Sequence, residues 1–333
     1  MYKKETFTAV ILFFILQICF AQSSFQNLEL GKNSLNYKGN PLKATDRKSL
    51  AFSDKGAWFG FGFLEQSEMQ GGFSGPFLMT EQNGVWLSSS FISLHLTDKN
   101  EQELIDWKTA LVNQNSYNSH LEQEFQNEKL EVKQQLVFSS GHSAIQKTSI
   151  TNRSSKTITL YPIYNSKTYL DNMQLSTEGQ FLKLVSSKSN AVGYIQFFNE
   201  GIDIVITKDS FTAKANKLTL KPNETKEIVV SQTYIFPQYD WKKENENLAK
   251  IQFNTVLKDT KKEKENQLAQ LIAKKKSIYK GAEYSIFIAK LLLTLQNNTR
   301  IPAEGLKHDG LFPSYHYEWF HGFWAWDSWK HAA

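Results

Sequence analysis

A change of periodicity divides this chain in two and sets what it can fold into. From about Leu28 to Phe236 apolar residues recur on alternate positions: Ile92, Leu94 and Leu96; Leu130 and Val132, then Leu136 and Phe138; Ile158 and Leu160; Ile202, Ile204 and Ile206. A period of two places such residues on one face of an extended strand. Turn residues separate the runs, as at Asn199-Glu200-Gly201 and Lys221-Pro222-Asn223-Glu224. Many strands at short spacing, with no helical stretch between them, predict an antiparallel β-sandwich. After Trp241 the alternation stops. Residues 242–280 contain neither glycine nor proline and are rich in Lys, Glu, Gln, Leu and Ala, all good helix formers, which predicts one or two connecting helices. Tyr284 to Leu295, with its apolar run from Ile286 to Leu293, predicts a largely buried helix that opens a second domain. Ile301-Pro302 ends it, and Asp309-Gly310 and Phe312-Pro313 mark a long loop.

The amino terminus has its own grammar. Lys3 and Lys4 precede an apolar run of twelve residues, Ala9–Phe20, and Cys19-Phe20-Ala21 sets small residues where a signal peptidase reads. This predicts a secretory signal over 1–21, cut before Gln22, and an exported, periplasmic or extracellular protein. The run falls short of the roughly 20 residues of a spanning helix, so no membrane span is predicted. Cys19 is the only cysteine. Its lipidation is the alternative, disfavoured by the bulky Ile18 before it; in either case the mature chain has no thiol pair for a disulfide.

The charge of +5 does not point to nucleic acid. Between Lys242 and Lys280 eleven lysines face five acids, an excess larger than the net charge of the whole chain. A lysine-rich helix face with little aromatic interleaving is a solvated surface rather than a phosphate track.

Chemistry is concentrated near the carboxy terminus, in Gly322-Phe323-Trp324-Ala325-Trp326-Asp327-Ser328-Trp329-Lys330-His331-Ala332. Four of the eight tryptophans, Trp319, Trp324, Trp326 and Trp329, lie in the last fifteen residues. Indole faces stack on pyranose rings and exclude water, and a carboxyl among them keeps its proton to higher pH, as a general acid requires. Asp327 also suits a helix N-cap, a role compatible with pointing at a substrate. The aromatics could be ordinary core, but Trp319, Phe320, Phe323, Trp324, Trp326 and Trp329 would surround a helix on nearly every side, which fits a pocket wall better. His316, Glu318 and His321 have the wrong spacing to set two imidazoles on one helix face as zinc motifs do, so no metal is predicted. Ser314 and Ser328 lack a Gly-x-Ser-x-Gly elbow, and there is no Gly-Lys-Ser/Thr phosphate loop; no cofactor is predicted.

The 322–332 segment resembles the general-acid segment of glycoside hydrolase family 63, which includes processing α-glucosidase I and bacterial α-glucosidase-like enzymes. Glu304-Gly305-Leu306 and Asp309-Gly310-Leu311-Phe312-Pro313-Ser314-Tyr315 resemble the loop leading into it. Asp54-Lys55-Gly56-Ala57-Trp58-Phe59-Gly60-Phe61 and Gly72-Phe73-Ser74-Gly75-Pro76 are similar to glycine-aromatic stretches of that family's β-domain, with Phe59 in place of a polar residue. The resemblance implies a multidomain β-then-α chain: signal peptide 1–21, β-sandwich 22–240, helical linker 241–281, and the start of an (α/α)6 barrel at 282–333.

It further implies an exo-acting, inverting α-glucosidase with an oligosaccharide or disaccharide substrate, Asp327 as general acid, and Phe312, Tyr315, Trp324 and Trp326 lining the sugar pocket. Inversion needs a second carboxylate as general base, about 6.5–9.5 Å away. In the family it is a glutamate late in the barrel, so the expectation is a fragment that lacks the base and is inactive alone, with its first barrel helix uncovered. Glu304 and Glu318 are read as loop carboxylates on the solvent side, not as that base. The alternatives are a trehalase or mannosylglycerate hydrolase-like enzyme, a non-catalytic exported glycan-binding protein, and a structural surface β-domain.

Overall fold

The structure, a computed structural model, describes residues 25–198 and 201–326. The predicted signal segment 1–21 with Cys19, and Asp327 with the residues after it, lie outside the described residues. A short helix, α1 (Gln26–Gly31), leads into β1 (Phe59–Gly62), β2 (Ser74–Leu78) and β3 (Val85–Trp86), which form a small antiparallel sheet. β4 (Ser93–Thr97) and one helical turn, α2 (Trp107–Ala110), follow. Next come β5 (Leu111–Ser116), β6 (Leu121–Gln126), β7 (Leu130–Phe138), β8 (Ser143–Asn152), β9 (Ile158–Lys167), β10 (Met173–Glu178), β11 (Phe181–Ser186) and β12 (Val192–Phe197). β13 (Asp203–Ile206), β14 (Ser210–Lys214), β15 (Leu218–Leu220) and β16 (Thr225–Ile235) complete the β part.

Two sheets face each other. The larger has the order β10-β11-β12-β16-β8-β7-β6-β5; the smaller runs β13-β14-β9-β15, with β4 also paired to β9. Every pairing between these strands is antiparallel. Val132, Leu136, Ile150 and Tyr234 from the large sheet and Leu94, Leu160, Tyr164 and Phe211 from the small one meet in one core. The sandwich read from the period-two pattern is thus present. Beyond Leu136 the alternation in β7 fades, because its second face is covered as well: Val137 and Ile145 pack against Leu248, Phe253 and Leu257.

Those last three residues belong to helices α3 (Trp241–Leu248) and α4 (Phe253–Ala273), where Asp240 caps the first by accepting from the Lys242 and Lys243 amides. The third helix, α5 (Ala282–Asn298), departs from expectation. It buries one stripe, Ser285, Ala289, Leu293 and Gln296, spaced so that they share a face, while Ile286, Phe287 and Leu291 are exposed. The apolar run predicted a largely buried helix, and the family resemblance one left uncovered where barrel partners would pack; among the described residues α1, α4 and the sandwich edge pack against its buried stripe. No described helix is long and apolar enough to cross a membrane.

Buried polar bonds fasten these helices to the sandwich. Lys264 of α4 reaches Asp54 at 2.7 Å, with side chains 6 % and 1 % exposed. At the end of α5, Asn297 Oδ1 accepts from the Ser53 amide at 3.0 Å and its Nδ2 donates to the Tyr37 hydroxyl at 2.6 Å. Gln296 Nε2 donates to the Asn118 carbonyl at 2.9 Å, and Asn118 Nδ2 donates to the Ala289 carbonyl at 3.2 Å.

Candidate functional site: an aromatic loop on the sandwich

The loop that follows α5 is locked in place at its base. Thr299–Arg300 (β17) pairs with Gly310–Leu311 (β18). The Ile301 amide donates to the Gly56 carbonyl at 2.9 Å, and the Trp58 indole donates to the Ile301 carbonyl at 2.9 Å. Gly56 is required there: its φ is +72°, and a Cβ would lie 2.8 Å from the Ile301 nitrogen. The segment 54–61, singled out in the sequence for its glycines and aromatics, is therefore where the sandwich receives the loop.

The four aromatics expected around a sugar divide into two pairs. Phe312 and Tyr315 are buried, 2 % and 5 % exposed, whereas Trp324 and Trp326 are 53 % and 71 % exposed. Phe312 meets the Trp58 ring edge-on with centroids 5.4 Å apart. The Tyr315 hydroxyl donates to the Ala51 carbonyl at 2.7 Å and accepts from the Ala51 amide at 3.0 Å, while its own amide donates to Asn298 Oδ1 at 2.9 Å. Burial pushes the Tyr315 phenol up to about 12. A hydroxyl so engaged serves the loop's position.

Arg300 joins the buried layer and carries no sequence signal that a motif search would find. It is fully buried, and its guanidinium lies 5.6 Å from the Tyr315 ring centroid and 6.0 Å from that of Phe312. Its terminal nitrogens donate to the Thr299 and Asn297 carbonyls and contact the Met79 sulfur, and Nε has no partner. Desolvation lowers its pKa to about 9, so it remains a cation at neutral pH. Two imidazoles lie in the same loop, His321 close to Arg300 and His316 close to Arg47. His321 Nδ1 sits 2.9 Å from the Tyr315 carbonyl, an acceptor, so that nitrogen carries the proton. Burial pulls both His321 and His316 below the usual imidazole value, with Arg47 acting in the same direction on both and Arg300 on His321, so both are neutral at neutral pH.

Outside this layer Trp319, Phe320, Phe323, Trp324 and Trp326 stand exposed on the approach to position 327. Large apolar side chains exposed this close together in sequence are the feature of the loop that packing does not account for. Glu304 is turned away from it, exposed and accepting from Asn190 Nδ2 at 2.7 Å. Among the described residues no three His, Cys, Asp or Glu side chains are grouped to hold a metal ion.

Residues 39–192 match the family described as glucosidase YgjK, N-terminal. No curated protein matches the chain. Among solved structures, a protein named as a candidate kojibiose phosphorylase from the human microbiome has a TM-score of 0.53 at 12% identity, over 74% of this chain and 39% of that one. An inverting mannosidase of family GH92 from Bacteroides thetaiotaomicron VPI-5482 has a TM-score of 0.45 at 12% identity, over 87% of this chain and 44% of that one. The first likeness is one of fold, and the chain spans 39% of that structure's length. The family match is a likeness to the amino-terminal domain of a glucosidase over 39–192, and it does not single out family 63.

Proposed function

We propose that the intact protein is an exported, exo-acting, inverting α-glucosidase, in which 22–240 is the β-domain, 241–281 the linker and 282–333 the opening of an (α/α)6 barrel. The observation that carries this reading is the exposed tryptophan pair Trp324 and Trp326, set on a buried base and running directly into Asp327. Asp327 is the general acid: among indoles its carboxyl stays protonated and hands the proton to the departing glycosidic oxygen. Trp324 and Trp326 stack on the terminal glucose, with Phe312 and Tyr315 forming the wall behind them. The apolar face of α5, with Ile286, Phe287 and Leu291 exposed, suits the first helix of a barrel that packs helix on helix.

Inversion requires a second carboxylate to activate water from the opposite face of the ring. Glu304, bonded to Asn190 and facing solvent, is not that group.

The test is Asp327→Asn in the intact protein, with glucose release from α-glucosides and the anomer first formed followed by proton NMR. Loss of turnover by at least about a hundredfold, with sugar affinity retained and β-glucose as the first product before mutation, is the expected result. Unchanged turnover in Asp327→Asn, or α-glucose as the first product, removes the assignment.

A further inference from the structure

We propose that the groove where β4, β9 and β14 meet the segment 88–90 is a second carbohydrate site, one that takes a neutral oligosaccharide chain. No residue of the 299–326 loop lines it, so it is independent of the tryptophan pair. Its volume is about 540 Å³, within the roughly 300–1,000 Å³ of small-molecule sites. Its walls are polar and apolar in about equal measure: Gln70, Ser88, Ser90, Asn165 and Ser166 border it together with the rings of Tyr169 and Phe211.

Three properties fit a glycan. The first is unused hydrogen-bonding capacity. Ser88 Oγ and Ser166 Oγ are 3.0 Å apart, and Ser166 also donates to the Ser90 carbonyl at 3.1 Å, so acceptor lone pairs remain on both. Gln70 and Asn165 use their carbonyl oxygens, Gln70 accepting from Ser93 at 2.7 Å and Asn165 facing His95 Nε2 at 3.2 Å. Their NH2 groups keep donors for a sugar hydroxyl.

The second is charge. Lys167 at the rim is neutralised by Asp209 at 2.9 Å, which leaves the groove with nothing to select an anion over a neutral polyol. The third is a fixed apolar plane. The Tyr169 hydroxyl donates to the Pro41 carbonyl at 2.9 Å and its half-buried ring packs on the cluster of Ala51, Phe77 and Trp86, which fixes it at the groove wall, where the C–H side of a pyranose would meet it.

Binding of maltotriose, cellotriose and xylotriose is measured by saturation-transfer NMR and calorimetry on the intact protein. The same is done on a Trp324→Ala/Trp326→Ala variant and on Ser166→Trp, which fills the groove. At least one triose is expected to bind the double variant as it binds the parent, and to bind Ser166→Trp about tenfold more weakly, the loss that follows when one or two neutral hydrogen bonds disappear. Gln70→Ala/Asn165→Ala removes the free amides with little change of shape, and is expected to weaken the same triose by a similar factor should Ser166→Trp fail to fold. Absence of binding by all three trioses to the Trp324→Ala/Trp326→Ala variant overturns the second site without touching the glucosidase reading. Binding undiminished in the groove variants also overturns it.

Discussion

At the scale of single residues, the buried carboxyl of Asp54 is held between opposing effects. Its Oδ1 accepts from Lys264 Nζ at 2.7 Å and from the Lys55 amide at 2.7 Å, while Oδ2 is buried without a partner. Desolvation outweighs both lysines and raises the carboxyl above its ordinary value. The sign follows from proton counts. Between the ordinary value and the raised one, the folded state holds a proton that the unfolded state has released, so stability falls as pH rises through that window. Lys264→Met removes the main opposing cation, lifts the folded value further and widens the window. At neutral pH it leaves a buried carboxylate unpaired, at a cost of about 3–5 kcal/mol. Urea midpoints from about pH 4 to about pH 8 should separate steadily between Lys264→Met and the parent, and Asp54→Asn/Lys264→Met should restore a flat profile. A constant gap at every pH would show that Asp54 is not the titrating group.

Secondary elements show which parts of the fold a sequence can disclose. The strands around Leu94, Val132, Leu160 and Ile204 were legible because their faces differ, one in the core and the other wetter. The helices were legible by composition, since a stretch without glycine or proline has few other options. The burial of α5 was not, because apolar content does not say which side a neighbour covers. The loop aromatics show the same limit: Phe312 and Trp324 look alike in a motif, yet one packs on Trp58 and the other is half exposed. Arg300, which fixes that loop, had no periodicity or partner spacing to betray it. Helix α1 offers a further case of support at a distance. Its N-cap residue Phe25 provides no side-chain acceptor, and the amides of Asn27 and Leu28 donate instead to the Glu265 carboxylate of α4 at 3.1 and 3.0 Å. Glu265→Ala should remove this remote cap and cost about 0.5–2 kcal/mol. Hydrogen exchange of the Asn27 and Leu28 amides should accelerate while the β7 and β8 amides stay protected. Equal acceleration in all of them would mean that Glu265 supports the whole fold rather than α1.

Across the whole molecule, the sandwich and the helices share one set of buried polar bonds, which makes them a cooperative unit rather than two bodies on a hinge. Asn297 is the centre of that set. Its carboxamide serves the Ser53 backbone and the Tyr37 hydroxyl at once, and Gln296 beside it reaches the Asn118 carbonyl. Replacing Asn297 by leucine keeps the volume but leaves a buried amide N–H and a buried phenol without partners, at about 1–3 kcal/mol for each orphaned group. Burial already holds the Tyr37 phenol well above its ordinary value, so ionisation gives it no escape at neutral pH. In the parent, urea unfolding followed by helical circular dichroism and by tryptophan fluorescence should trace one curve. In Asn297→Leu the helical signal should be lost first and the sandwich later, because the end of α5 then keeps the Gln296–Asn118 and Asn118–Ala289 bonds, while α3 and α4 keep the Lys264–Asp54 pair and the apolar seam of Leu248, Phe253 and Leu257. That seam lies on the outer face of the large sheet, far in sequence from the 299–326 loop, so the early-unfolding part would include α5 and the loop that carries the tryptophans. A glycan bound at Trp324 and Trp326 should then push the two curves back together, whereas one bound only in the groove beside Ser166 should not. Coincident curves in Asn297→Leu, at the parent's midpoint, would show that the helices are held by something other than this polar seam.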